Sequence, residues 1–402
     1  MEELSSRLRQ QVRKRLDWSQ DIDEEALRGI IREEIAAVAT RERISIQQRV
    51  TLEQRIYNSL RKLDILQELI EDDQVTEIMV NGPKVIFYER QGEVHRYPYS
   101  FASEEELQDV IQQIVGRNNR VVNLSSPIVD ARLEDGSRVN IVLAPIAIDG
   151  SAISIRKFPK EPLDMKRLIQ LGSITREAAG FLKDLVAAGY NIFISGGTSS
   201  GKTTFLNALS SYIPEEERII TIEDSAELQL LNRKNLIRLE CRNANMEGVR
   251  EISIRKLLHT ALRMNPTRVI VGECRGEETI DMLQAMNTGH DGSLSTGHGN
   301  SPQDMIRRLE TMVLMGTEIP LMAVRQQIAS AIDIFIHMGK TKDRGRQVLQ
   351  IAEVTGVEDG EIQLSVLFQR EEELIKKNEL LHTEKLQRYR GVDKCFGESE
   401  KP

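Results

Sequence analysis

The chain has 402 residues, enough for two or three domains, and its 40% apolar and 29% charged content is that of an ordinary globular protein. A formal net charge of -8 leaves no overall basic footprint and argues against nucleic acid as the main partner. Cys241, Cys274 and Cys395 include no Cys-x-x-Cys pair, which speaks against a disulfide framework or a zinc module and fits a reducing compartment.

The opening MEELSSRLRQQVRKRL lacks the apolar core of a secretion signal. No run approaches the ~20 apolar residues that span a bilayer, so membrane attachment is expected through a partner. Residues 1–72 read as a helical region. Asp21 and Asp23 can cap a segment whose Leu27, Ile31, Ile35 and Val38 share one face. Ile56, Leu60, Leu63 and Leu66 repeat that pattern.

Over 73–158 the period changes to that of strands: EIMVNG, KVIFYE and, after the turn Arg90-Gln91-Gly92, EVHRYP. Ser103 and Glu106 form a capping box ahead of Leu107, Val110, Ile111 and Ile114. RLEDGSRVNIVLAP and SAISIRKF complete an α+β domain. Pro159 and Pro162 mark a linker at 159–166. In 167–370 the apolar runs NIFIS, RIITIE, RVIVGE, GSLSTG and DIFIHM alternate with helical stretches, the pattern of a mostly parallel α/β sheet. VLQIAEVTGV and EIQLSVLF form a hairpin about Glu358-Asp359-Gly360, and 371–402 read as a charged, partly helical tail.

Gly196-Gly197-Thr198-Ser199-Ser200-Gly201-Lys202-Thr203, followed by Thr204, fits GxxxxGK[ST] between a strand and an amphipathic helix. Small residues let backbone N–H groups curl around phosphate oxygens, Lys202 reaches the β and γ phosphates, and Thr203 offers its hydroxyl to Mg²⁺. ATP with Mg²⁺ is the expected ligand. Glu273, just past the strand RVIVGE, can polarise the attacking water. Gly272 stands where many P-loop enzymes put the metal-binding Asp, so Glu273 is the carboxylate at that strand end. Glu223 and Asp224 end the strand ITIED, and Glu223 can help hold Mg²⁺ or water. Thr203, Glu223 and Glu273 are thus the candidate metal oxygens.

His290 and His298 frame TGHDGSLSTGH. They suggest phosphate sensing or metal ligation, with a packed structural histidine as the competitor. Metal is the weaker reading, since only Asp291 could join them. Arg138 and Arg156 on the α+β strands, and Arg263 and Arg275 flanking the Glu273 strand, are candidate nucleotide cations.

The ordered set GGTSSGKTT, TIEDSAEL, RVIVGECRG and TGHDGSLSTGH resembles the Walker A, Asp, Walker B and His boxes of the type II/type IV secretion ATPase superfamily. DGSRVNIVLAPIAIDGSAISIRKF is similar to the CpaF/TadA branch, the motors of Flp/Tad pili. The resemblance runs over roughly residues 50 to 370. It implies a RecA-like P-loop core preceded by an α+β (PAS-like) domain and an N-terminal helical extension. It implies a homohexamer with ATP between the two domains, cytoplasmic and held to the inner membrane through a platform protein. It maps the catalytic Glu to Glu273, the Asp-box acid to Glu223, the His-box histidines to His290 and His298, and the nucleotide arginines to Arg138 and Arg156. The rivals are a type IV secretion or conjugation ATPase, a hexameric nucleic-acid motor, and a nucleotide-gated scaffold that does not hydrolyse.

Overall fold

The computed structural model describes residues 2–16, 22–39, 41–117, 121–158, 162–230, 233–242, 251–341 and 345–397, without the side chains of 2, 3, 6 and 392–397. The chain divides into two compact units, Met1–Lys160 and Glu161–Pro402.

In the first unit, α1 (Glu2–Arg15), α2 (Glu24–Ala39) and α3 (Ile46–Arg61) bury one face each. Leu8 and Val12, Leu27, Ile31 and Ile35, and Leu52 and Ile56 interlock in a core of their own. Asp23 accepts from the Ala26 N–H at the start of α2, and Ser45 with Gln48 forms a full capping box on α3. Asp21, the other expected cap, lies outside the described residues.

A 3₁₀ turn (Asp64–Leu66) and α4 (Gln67–Glu71) lead into β1 (Val75–Asn81), β2 (Ile86–Arg90), β3 (Glu93–Arg96), α5 (Glu104–Gly116), β4 (Ile128–Arg132), β5 (Arg138–Val142) and β6 (Ala152–Arg156). The strands form one antiparallel sheet in the order β3-β2-β1-β6-β5-β4. Alternation puts Ile78, Val80, Val139, Ile141, Ile153 and Ile155 on the face that packs on α5. Register sets the other face: Glu77 pairs with Arg156, Arg156 with Arg138, and Arg138 with Arg132.

A cavity of about 280 Å³ in this unit is lined by Arg9, Arg55, Asp64, Tyr97, Tyr99 and Glu106, among others. Arg9 contacts both Asp64 and Glu106 there. Burial raises Asp64 to about 6; Arg9 offsets part of this and Glu106 adds to it. A carboxyl that holds its proton more tightly folded than unfolded contributes stability that is lost as pH rises through about 6. Asp64→Asn is therefore expected to match the parent near pH 4 and to exceed it at pH 8, by up to about 3 kcal/mol at 1.36 kcal/mol per pKa unit. Asn also suits the left-handed backbone of Asp64, φ 50°. Denaturant melts at both pH values check this, and a difference independent of pH would mean that Asp64 titrates normally.

The second unit begins with α6 (Met165–Gln170), capped by Asp164, so the second half of the expected linker is the entry to this unit. Residues 159–161 of that linker lie outside the described residues. There follow α7 (Arg176–Ala187), β7 (Ile192–Gly196), α8 (Lys202–Ser210), β8 (Ile219–Glu223), β9 (Leu236–Glu240), α9 (Ile254–Ala261), β10 (Arg268–Val271), α10 (Thr279–Asn287), β11 (Leu294–His298), α11 (Pro302–Gly316), α12 (Leu321–Ala331), β12 (Ile334–Thr341), β13 (Gly345–Glu358), β14 (Glu361–Arg370), β15 (Leu374–Lys376) and α13 (Glu384–Gly397).

One mixed sheet runs β15-β14-β13-β12-β7-β11-β10-β8-β9, parallel from β12 to β9 and antiparallel beyond. Helices cover both faces, as buried parallel strands require. Ile192 and Ile194 face one core with α7 and α8, and Phe193 faces the other with α9 to α12. The fold is the expected α/β architecture.

The tail is more integrated than its charge suggests. β15 extends the sheet and buries Leu374. Glu353, 1% exposed, accepts from the backbone N–H groups of Leu381 and His382, and Lys385 pairs with Asp333 and Asp291. Isolated apolar residues such as Leu374, Leu380 and Leu386 lie too far apart among charges to show a period. Residues 398–402 lie outside the described residues. No helix among the described residues is long and apolar enough to cross a membrane.

Candidate nucleotide-hydrolysis site

β7 ends at Gly196 and α8 starts at Lys202, so the Gly-rich segment is a strand-to-helix turn at the C-terminal edge of the parallel sheet. Gly201 precedes the helix at φ 91°, where a side chain would be strained, and Ser199 stores strain at φ 56°. No side chain caps α8, which leaves its first N–H groups to an anion. The Ser200 hydroxyl is buried without a hydrogen-bond partner among the described residues, a donor that a phosphate oxygen can satisfy. Thr203 and Thr204 sit half-buried in the first turn of the helix.

Lys202 is buried across the loop and donates to the carbonyls of Gly196 at 3.1 Å and Gly197 at 3.0 Å. Its Nζ is 3.3 Å from His298 Nδ1. The other imidazole nitrogen, Nε2, lies 2.9 Å from Glu273 Oε1. An ammonium can only donate, so Nδ1 accepts and the proton sits on Nε2, facing the carboxylate. That approach is off-line, and Oε1 stays buried without an aligned donor. Burial holds His298 below the ordinary histidine range against the pull of Glu273, so it is neutral near pH 7. Burial also lowers the Lys202 pKa, with Glu273 opposing.

The loop after β10 is fixed from several sides. Thr296 donates to the Gly272 carbonyl at 2.8 Å, and the Glu278 carboxylate accepts from the N–H groups of Arg275 and Gly276 at 2.6 and 2.9 Å. Arg275 bridges Glu273 at 3.0 Å and Asp224 at 3.2 Å. Arg275 thus meets carboxylates of its own site, and Glu273 is held between Arg275 and His298.

Glu223, 3% exposed, ends β8 beside Gly272. A Cβ on Gly272 would lie 2.9 Å from Glu223 Cγ, so the missing side chain at 272 is the space that Glu223 fills. Glu223 Oε2 accepts from the N–H groups of Glu227 and Leu228, while Oε1 is buried with no partner among the described residues. Burial raises its pKa, partly offset by those two bonds. An orphaned carboxylate oxygen, the Glu273 carboxylate and the Thr203 hydroxyl are hard oxygen donors of the kind Mg²⁺ takes together with substrate phosphates. The residues present fit that ion.

Two expected nucleotide contacts are not brought to the loop. Arg263 lies exposed in the 3₁₀ turn before β10, and His290 lies between α10 and β11, its Nδ1 3.2 Å from the Ala285 carbonyl. Both precede their strands, so in a parallel sheet they fall at the edge opposite Gly196. His298 ends β11 directly beside Gly196. Arg138 and Arg156 are direct cross-strand neighbours in the first unit, and Arg132 joins their row, a residue sequence reasoning missed. His337, also missed, pairs with Ser195 in register, with its Nδ1 2.9 Å from Ser195 Oγ just ahead of the phosphate loop. Burial lowers its pKa and leaves it neutral.

A phosphate loop on a parallel sheet, facing a half-buried Glu that a neutral His adjoins, defines the class: a P-loop ATPase. Residues 59–382 match the family described as type II/IV secretion system protein, and the chain belongs to it. It is 33% identical over 294 residues to a putative conjugal transfer protein of Mycobacterium tuberculosis, covering 72% of this chain and 83% of that one. It is 31% identical over 315 residues to the type IV secretion system protein PtlH of Bordetella pertussis, covering 72% and 93%. Among solved structures, the ATPase DotB of Legionella pneumophila matches with a TM-score of 0.53 at 22% identity, over 73% of this chain and 80% of that one. The pilus retraction motor PilT with bound ADP gives 0.52 at 20%, over 84% and 89%. At these identities the two structures establish the fold alone.

Proposed function

We propose that this chain hydrolyses ATP to ADP and phosphate as a ring of six copies. The ring sits on the cytoplasmic face of the inner membrane and drives a Flp/Tad-type pilus-assembly or secretion machine through its platform protein. The observation that carries the ATPase chemistry is Glu273, half-buried between His298 and Arg275, with its Oε1 lacking an aligned donor and so able to take a water proton. In this reading Lys202 leaves its loop carbonyls for the β and γ phosphates. Glu273 orients water in line with the γ phosphorus; the new P–O bond forms as the bond to the β–γ bridging oxygen breaks, and the water proton passes through Glu273 to the products. His298 holds Glu273 in position and Arg275 keeps its other oxygen occupied. Mg²⁺ held by Thr203 and Glu223 would neutralise charge on the phosphates.

Arg138 and Arg156 are assigned to a clamp on the nucleotide that hydrolysis releases. Register makes them direct neighbours on one face of the sheet, which supports assigning them a shared role. Steady-state ATP hydrolysis by the purified chain tests both parts. The parent is expected to turn over, and Arg138→Ala with Arg156→Ala to lose about tenfold or more, the scale of one or two charge-assisted contacts. Equal rates would remove the clamp, and a silent parent would leave the gated scaffold.

A second reading, a type IV secretion or conjugation ATPase, is favoured by the names of the two relatives above. Inactivating Lys202 in the source cell separates the two: surface pili vanish under the first, and DNA or protein transfer under the second.

A further inference from the structure

The strand order gives the phosphate loop two flanks. Across β11 from β7 lies β10 with Glu273; on the other side of β7 lies β12 with its hairpin partner β13. Lys202, His298 and Glu273 mark where the γ phosphate is expected. An extended nucleotide therefore carries its α phosphate and nucleoside away from Glu273, toward β12 and β13.

Arg346 stands on that flank. It pairs with Lys340 in the β12–β13 hairpin, and its backbone is pinned because its carbonyl accepts from the Ser173 hydroxyl at 2.7 Å. The side-chain stem runs along the last residue of the phosphate loop: its Cδ and Cβ lie 3.4 and 3.6 Å from where a Cβ on Gly201 would stand. The residue is exposed, and its guanidinium has no hydrogen bond or ion pair among the described residues. Arg268, Arg275 and Arg325 of the same unit each hold a carboxylate. An arginine packed by its stem and left open at its head, beside an uncapped helix N-terminus, suits an anion arriving from solvent.

We propose that Arg346 binds the α phosphate of the nucleotide held by its own chain, and so sets nucleotide affinity without taking part in the chemical step. This rests on the ATPase reading above. Because ATP and ADP share that phosphate, their affinities should fall together, and an interaction equal in ground and transition state should change KM and not kcat.

The test is ADP and ATP binding, followed by nucleotide fluorescence, together with turnover, for Arg346→Met and Arg346→Lys. Met keeps the stem on Gly201 and removes the charge. It is expected to weaken both nucleotides about tenfold, the value of a charge-assisted hydrogen bond, and to raise KM alike with kcat within about twofold. Lys is expected to recover most of the loss. Met binding both nucleotides like the parent would reduce Arg346 to packing, and a fall in kcat at unchanged affinity would place it in the chemistry; either result overturns the proposal. So would equal weakening by Met and Lys, which would point to stacking on the base. Failure of the ATPase reading looks different: the parent itself would not turn over ATP, whatever residue 346 is. Unchanged melting of both variants without nucleotide would exclude a folding defect.

Discussion

Glu273→Gln is expected to lower ATP turnover by about a hundredfold or more while ATP and ADP bind within about twofold of the parent. The change preserves size and gives up the ion pair with Arg275, which keeps its second carboxylate, Asp224. The surroundings favour a clean result. Nε2 of His298 can donate to the amide oxygen of Gln as it faces Oε1 of Glu, and Thr296 and Glu278 fix the loop independently. Turnover and nucleotide binding measured on one preparation decide the matter. Parent-like rates would move the base to Glu223, whose Oε1 beside Gly272 is also buried without a partner among the described residues.

Gly272→Asp would install the carboxylate that many P-loop enzymes carry at this strand end, and it is expected to destroy activity. The new Cβ would start 2.9 Å from Glu223 Cγ and 3.5 Å from its Cβ, and Glu223 is itself tied by two backbone N–H bonds. Overpacking of this kind costs about 1–3 kcal/mol, and a second buried carboxylate adds repulsion. The expected outcome is a lower melting temperature and loss of turnover. Glu223→Ala placed in the same chain should restore the melting temperature, since it removes the Cγ and Cδ that collide. If Gly272→Asp alone melted and turned over like the parent, Glu223 could not be the group that fills this space.

The strands were legible wherever a run was buried on both sides, as in NIFIS and RIITIE, because burial leaves an unbroken apolar signature. β9 was not read as a strand: it is an edge, its residues are half-exposed, and LIRLE shows no apolar run. The phosphate loop and Glu273 were legible because their chemistry demands fixed residues at fixed spacing. Arg263 and His290 lie at the opposite ends of their strands from the phosphate loop, because the direction of a strand decides which end meets it. His298 follows its strand and reaches the loop; His290 precedes the same strand and does not. Arg132, Arg346 and His337 left no mark, since each gains meaning only from the register that sets it opposite Arg138, Lys340 or Ser195.

The strand that carries the phosphate loop is bonded on both sides by parallel neighbours, with β11 and with β12 over five residue pairs each. β12 continues into the long β13–β14 ribbon. A pull along β7 therefore loads both rows of hydrogen bonds in shear, so that the rungs share the strain and none opens first. Strands drawn apart sideways unzip one rung at a time. Tension generated at the nucleotide leaves through the stiffest direction of the sheet, and the ribbon feels it as a displacement along its own length.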